Sequence, residues 1–211
     1  MTLSTLDQFI IGFDSLLRGA TRNNIGTGRN YPGENIPATD LTPAEQKHIS
    51  GLMRVNYSGE VAAQALYLGQ ALVASNDETR LTLLESAREE QDHLLWCNQR
   101  LEALESHTSY LNPLWFMGSF VIGVFAGLCT DKYSLGFVAE TEHQVEEHLT
   151  DHLSRLPASD KISYAILLQM RADENEHGVK AMQHGGVELP ELVKQAMRVP
   201  AKIMTTISYY I

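Results

Sequence analysis

The sequence predicts an all-α chain: a four-helix bundle with one long apolar crossover and additional N- and C-terminal helices. Three observations carry this. Apolar residues recur at helical spacing almost throughout, and no stretch alternates as a strand would. Short polar links join helices within pairs, while a long segment separates the pairs. The pattern Glu-x-x-His is written twice, in "EEQDHL" (89–94) and in "DENEHG" (173–178). The 211 residues suffice for one domain with a sizeable core. Residues 1–40 read as an N-terminal amphipathic helix and loop, 41–186 as the bundle, and 187–211 as a C-terminal amphipathic helix.

Each element has a local reason. Leu3, Leu6, Phe9, Ile10, Phe13, Leu16 and Leu17 form one stripe, opposed by Asp7, Asp14 and Arg18. "RNNIGTGRNYPGENIPATD" (22–40) is rich in Gly, Asn and Pro and reads as an extended loop. In "LTPAEQ", Thr42 is placed to cap a helix, Pro43 suits its first position, and Glu45 closes a capping box. That helix runs to about Ala74. "SNDE" (75–78) is a tight link, and the next helix runs from about Glu78 to Ser106. A further helix starts near Lys132 and ends before Pro157. Ser159 is placed to cap another, which stops at Gly185 and Gly186. A last helix starts near Leu189 and is expected to bend at Pro200. Two helix pairs joined by one long crossover make the ferritin-like arrangement.

Composition excludes some functions. The formal net charge is −10, with 44% hydrophobic residues. An acidic chain lacks the basic footprint of a general nucleic-acid binder. Cys97 and Cys129 are too few and too far apart for a disulfide framework or a CxxC zinc site, which fits a reducing compartment. "MTLSTLDQFIIGF" has no basic n-region and no Arg-rich transit character, which fits a bacterial cytoplasmic protein.

On a helix, residues i and i+3 share a face. Glu90 and His93 therefore project together from the second bundle helix, and Glu174 and His177 from the fourth. A ferritin-like two-metal site also needs one Glu from each remaining helix. Glu60, in "RVNYSGEVAA", stands among small and apolar residues where a surface Glu would be out of place. The third helix offers Glu140, Glu142, Glu146 and Glu147. Glu60 precedes Glu90 by 30 residues, and Glu142 precedes Glu174 by 32, so Glu142 makes the two halves alike. Four carboxylates balance two divalent cations, and two neutral imidazoles leave the cluster uncharged. Such carboxylate-rich ligation suits iron or manganese, whereas structural zinc prefers Cys and His. Without metal, four converging carboxylates repel and some take up protons. Glu89 and Asp173 are placed to orient the histidines from outside. His148, six residues after Glu142, is a candidate to line the site. Arg54 and Tyr57 are candidates to reach the pocket from the first bundle helix, whereas His48, His107, His143, His152 and His184 read as surface or ordinary core residues.

Two segments suggest contact with lipid. "LWFMGSFVIGVFAGLC" (114–129) carries no charge over 16 residues, short of the roughly 20 that a spanning helix needs. Gly123 and Gly127 form a GxxxG, a weak signal at this length. The segment reads as one that inserts into the membrane interface, with Phe116, Phe120 and Val124 meeting lipid; a buried crossover or oligomer contact, and a spanning helix, are the alternatives. In the last helix, Leu192, Val193, Ala196, Met197, Ile203, Met204 and Ile207 make an apolar stripe beside Lys194, Arg198 and Lys202. A basic amphipathic helix suits a membrane surface.

"GLMRVNYSGEVAAQALYLGQAL", "EEQDHLLWCNQRL", "SHTSYLNPLWFMGSFVIGVFAGL", "GFVAETEHQVEEHL" and "RADENEHG" together resemble the demethoxyubiquinone hydroxylases of ubiquinone biosynthesis. The resemblance extends from about Leu41 onward. It implies Glu60, Glu90, His93, Glu142, Glu174 and His177 as ligands of two iron ions. His148 matches a family histidine beside the site, here the candidate catalytic residue. Many members carry a second Glu after the third-helix ligand, where this chain has His143. The resemblance further implies hydroxylation of a polyprenyl benzoquinol ring by O₂. Electrons would come from a nicotinamide donor such as NADH or from the reduced substrate. It also implies peripheral attachment at the cytoplasmic face of a bacterial inner membrane. Other ubiquinone-biosynthesis proteins or further copies of the chain are the implied protein partners. No G-x-G-x-x-G follows a strand, so a Rossmann nucleotide site is not expected. Two other readings share the two-metal bundle: an iron-handling ferritin-like protein and a peroxide-consuming enzyme.

Overall fold

A computed structural model describes residues 26–211. The amphipathic helix expected within residues 1–25 lies outside the described residues. Among the described residues there are six helices and no strand: α1 Pro43–Val73, α2 Asp77–Ala103, α3 Asn112–Gly127, α4 Asp131–Arg155, α5 Lys161–Gln183 and α6 Glu191–Ser208. Helices α1 and α2 form one pair, α4 and α5 the other, and α3 is the crossover lying along α1. This is the ferritin-like bundle.

Local chemistry explains the helix ends. Thr42 caps α1 and Glu45 reaches back to the Thr42 N–H at 2.9 Å, the expected capping box. Asn76 caps α2 by accepting from the Thr79 N–H at 2.8 Å. The cap of α5 is Asp160, one residue beyond the expected Ser159; its carboxylate accepts from the Ser163 N–H at 3.0 Å. Asp160 also receives Arg100 from α2 at 2.9 Å, so the carboxylate satisfies two donors where a serine hydroxyl would serve one. Gly185 ends α5 at φ +99°, a conformation that a side chain would disfavour. Helix α6 continues through Pro200, which has no N–H for the Ala196 carbonyl.

Two apolar clusters fill the bundle. One gathers Ile49, Met53, Trp96, Leu101, Leu149, Ile166 and Met170; the other gathers Tyr67, Leu83, Val138 and Ala181. Along every bundle helix the candidate ligands fall between these two sets. Glu60 lies between Met53 and Tyr67, Glu90 and His93 between Leu83 and Leu101, Glu142 between Val138 and Leu149, and Glu174 and His177 between Met170 and Ala181. The fold therefore holds a polar layer between two greasy ones.

The crossover does two jobs. Its GxxxG faces inward: a methyl group on Gly123 would strike the Leu66 carbonyl, and one on Gly127 would come within 3.0 Å of Gln70 Cα. Across the interface, a methyl on Gly69 would meet the Phe120 carbonyl. Glycines on both helices thus let the backbones touch. Phe116 is buried in the first apolar cluster and Phe120 packs against it, which corrects the expectation that they face lipid. Val124 is half-buried. The outward side chains are Leu114, Met117, Val121, Phe125 and Leu128.

Candidate metal centre

Glu60, Glu90, His93, Glu142, Glu174 and His177 converge inside the bundle, and none is more than 4% exposed. They form two overlapping groups. Glu60, Glu90, His93 and Glu174 offer ligand atoms within 4.8 Å of one another, and so do Glu90, Glu142, Glu174 and His177. Glu90 and Glu174 belong to both. These are the two Glu residues of the Glu-x-x-His pairs, one from α2 and one from α5, facing each other across the bundle.

The two histidines present the same edge inward. His93 Nδ1 lies 3.0 Å from Glu90 Oε2, 3.1 Å from Glu174 Oε1 and 3.6 Å from Glu60 Oε2. His177 Nδ1 lies 3.4 Å from both Glu90 Oε1 and Glu174 Oε2, and 3.7 Å from Glu142 Oε1. The outer edges are held by carboxylates. Asp173 Oδ2 lies 2.9 Å from His93 Nε2, and Glu89 Oε2 lies 2.6 Å from His177 Nε2. The expected role of Glu89 and Asp173 thus holds in geometry, with a twist. Each sits beside a Glu on its own helix yet serves the histidine of the other helix.

Electrostatics reports the strain of this crowding. Burial and the neighbouring Glu174 carboxylate push Glu60 and Glu142 well above the usual carboxylate range. Burial also pushes Glu90 up, but the His93 and His177 rings outweigh it and hold Glu90 low. Burial disfavours charge on His93, yet Glu90, Asp173, Glu174 and Glu60 raise it well above the usual histidine value. Without a cation, protons on the ring nitrogens and carboxylates do what a metal would do. Even so, Glu90 Oε1, Glu142 Oε2, Glu174 Oε1 and His177 Nδ1 are buried with no hydrogen-bond partner among the described residues. Buried polar atoms are rarely left so. Four orphaned atoms within one buried set of four carboxylates and two imidazoles fit a pair of hard divalent cations.

The chain matches the family described as ubiquinone biosynthesis protein COQ7 over residues 47–208. It belongs to this family. It is 52% identical over 210 residues to the 3-demethoxyubiquinol 3-hydroxylase of Polynucleobacter necessarius, covering 99% of this chain and 100% of that protein. The enzyme of the same name from Cupriavidus pinatubonensis is 53% identical over 211 residues, covering 98% of this chain and 100% of that one. The counterpart from Nitrosococcus oceani is 51% identical over 209 residues, with 99% and 98% covered.

Other residues of the COQ7-family chain fall outside expectation. Arg54 does not reach the pocket. Its guanidinium turns to the bundle end, donating to the His107 carbonyl at 3.1 Å, the Tyr209 carbonyl at 2.8 Å and Ser106 Oγ at 3.1 Å. Tyr57 packs in the first apolar cluster instead. Tyr67, not foreseen, donates its hydroxyl to Glu142 Oε1. Its signal was in the sequence: it follows Glu60 by seven residues, two turns along the same face.

A cavity of about 1430 Å³ opens beside the centre. Glu60 and Gly59 from α1, Leu114 and Ile122 from α3, His148 from α4 and Met197 from α6 are among its walls. His148 Nε2 is buried and without a partner among the described residues, as is Asn56 Nδ2. Burial lowers the His148 pKa to about 4, so the ring is neutral at neutral pH. Of the histidines read as incidental, His107, His143 and His184 are exposed and His152 is buried against Asn56. His48 is half-buried, its Nδ1 2.6 Å from the Tyr209 hydroxyl.

Proposed function

We propose that this chain hydroxylates the ring of a polyprenylated demethoxyubiquinol, using O₂ at a pair of iron ions. Glu60, Glu90, His93, Glu142, Glu174 and His177 would hold the ions in this reading, and Glu90 and Glu174 belong to both candidate groups. The observation that carries it is the convergence of those six buried side chains, with four atoms orphaned, beside a cavity large enough for a quinol ring and part of its tail. The names of its relatives supply the substrate class. The iron pair, when bound, supplies the electrons and coordination positions that activate O₂.

The protein's own residues do the rest. Asp173 and Glu89 hold the Nε2 protons of His93 and His177 outward, leaving both Nδ1 lone pairs for the centre. Tyr67 holds Glu142 in place. Apolar walls exclude water and position the ring near the site. His148, neutral and with a free Nε2, is placed to receive a hydrogen bond from a substrate hydroxyl at the cavity wall. An external reductant such as NADH supplies the remaining electrons.

The substrate's tail belongs in a bilayer, and the surface suits that. Leu114, Met117, Val121 and Phe125 on α3 and Leu128 just after it are exposed, as are Leu192, Val199 and Ile203 on α6. Helix α3 is about 24 Å long, short of a hydrocarbon core of about 30 Å. Among the described residues no helix is long and apolar enough to cross a membrane. The exposed apolar side chains support peripheral docking through α3 and α6, in this reading at the cytoplasmic face of the inner membrane.

The test uses ferrous protein, ¹⁸O₂ and a short-chain demethoxyubiquinol. One labelled oxygen is expected on the ring, and Glu142→Gln should suppress that product while leaving the fold intact. Iron oxidation with no ring product, or label arriving from water, would overturn the hydroxylase reading and leave an iron-handling protein.

A further inference from the structure

The two outer carboxylates are not equivalent. Glu89 behind His177 is 28% exposed, whereas Asp173 behind His93 is 13% exposed. The difference comes from residues 26–29, which precede the bundle and cross the outer edge of His93. Thr27 is pinned to α2: its N–H donates to Asp92 Oδ1 at 2.8 Å, and its hydroxyl donates to Asp92 Oδ2. A side chain on Gly26 would collide with that same carboxylate. Two residues on, Arg29 reaches α5. Its Nη2 lies 2.9 Å from Asp173 Oδ1 and 2.7 Å from Oδ2. The guanidinium also covers the Trp96 ring at 4.9 Å, and Trp96 in turn lies 5.3 Å from the His93 ring.

We infer that Arg29 is a positioning residue for one of the two metal ions, acting on His93 through Asp173. The inference rests on the reading that His93 is a ligand. Asp173 receives Arg29, Gln169 at 2.9 Å and His93 at 2.9 Å, so its oxygens are fully engaged and its rotamer is fixed. A fixed Asp173 keeps the His93 proton on Nε2 and the Nδ1 lone pair turned to Glu60, Glu90 and Glu174. Without Arg29, a carboxylate that still touches solvent is free to turn outward and release the ring. Because His93 belongs to only one ligand group, the effect is confined to one ion. A sequence pattern confined to the bundle helices omits this residue, since Arg29 lies 144 positions from Asp173.

The experiment titrates metal-free protein with Co(II), read by absorption and by competition with a chelator. His93→Ala and His177→Ala identify which binding step belongs to which group. Wild type should bind two ions. Arg29→Gln should weaken the step that His93→Ala abolishes by about tenfold, the lower end of what loss of an outer partner costs. It should leave the His177 step unchanged. Arg29→Lys should recover part of the loss, because lysine restores the charge without the planar fork. Adding Arg29→Gln to Asp173→Asn should weaken binding no further than Asp173→Asn alone, since both act through one contact. Glu89→Gln should weaken the other step. Equal weakening of both steps by Arg29→Gln, with a lowered unfolding temperature of the metal-free protein, would make Arg29 merely structural and overturn the inference. So would wild-type affinity in Arg29→Gln. If wild type failed to bind two ions, the ligand reading and this inference would fall together.

Discussion

Inside the bundle, four carboxylates and two imidazoles crowd between two apolar layers. On its flank, Met117, Val121 and Phe125 stand more than half exposed to water. Each region is costly for an isolated chain: the first by desolvated charge, the second by exposed apolar area. In the proposed reading each is relieved by an external partner, cations for the first and a lipid surface for the second. The cavity joins them, running from Glu60 and His148 to walls formed by α3 and α6.

The largest expected effect breaks the outer region alone. Changing Met117, Val121 and Phe125 together to Ser should remove on the order of 3–4 kcal/mol of interfacial binding. Liposome co-sedimentation should then fall several-hundred-fold, while iron content stays at the wild-type level. Unchanged liposome binding would separate this face from the membrane.

A buried hydrogen bond made within the bundle, between His152 and Asn56, sharpens the contrast. The His148 and His152 ring centroids lie 3.8 Å apart with their planes tilted by 57°, and His152 Nδ1 lies 2.9 Å from Asn56 Oδ1. Burial, with His148 and Arg155 nearby, lowers the His152 pKa from 6.5 to about 2. The unfolded chain therefore takes up a proton below about pH 6.5 that the folded chain refuses. Stability supplied by neutral His152 is present above that pH and is lost as pH falls. Between pH 6.5 and about pH 5 this residue should cost wild type about 2 kcal/mol. Urea unfolding of His152→Gln at the two pH values should lack that loss.

The smallest effect has opposite signs with and without metal. In metal-free protein, Glu142→Gln removes a carboxyl that burial and Glu174 already disfavour. It should stabilise by about 1–2 kcal/mol, raising Tm by about 3–6 °C. With iron loaded, the same variant should be less stable than wild type, because it has lost a ligand charge. Differential scanning calorimetry of both forms reads the crossing.

Much of this was legible in the sequence because it is local. The Thr42 capping box, the Asn and Gly punctuation and the Glu-x-x-His spacing all act within one helical turn. The candidate ligands could be aligned because each helix obeys the same period. What escaped notice depends on packing between elements. Asp173 precedes Glu174 on α5 yet serves His93 on α2, and only the assembled bundle shows that exchange. Arg54 precedes Glu60 by six residues, so it turns away from the centre to the bundle end. The apolar run 114–129 gives no hint which face goes inward. Gly123 and Gly127 mark it only once Leu66 and Gln70 are known to lie opposite.

Iron stoichiometry after anaerobic loading tests the central claim, that these buried carboxylates exist to share two metal ions. Wild type should hold two irons per chain, as should His184→Ala, whose ring is exposed, its Nδ1 2.8 Å from the Lys180 carbonyl. Glu174→Ala should lose both, because Glu174 belongs to both ligand groups. A Glu174→Ala protein that keeps two irons, or a wild type that holds fewer than two at saturation, would contradict the account.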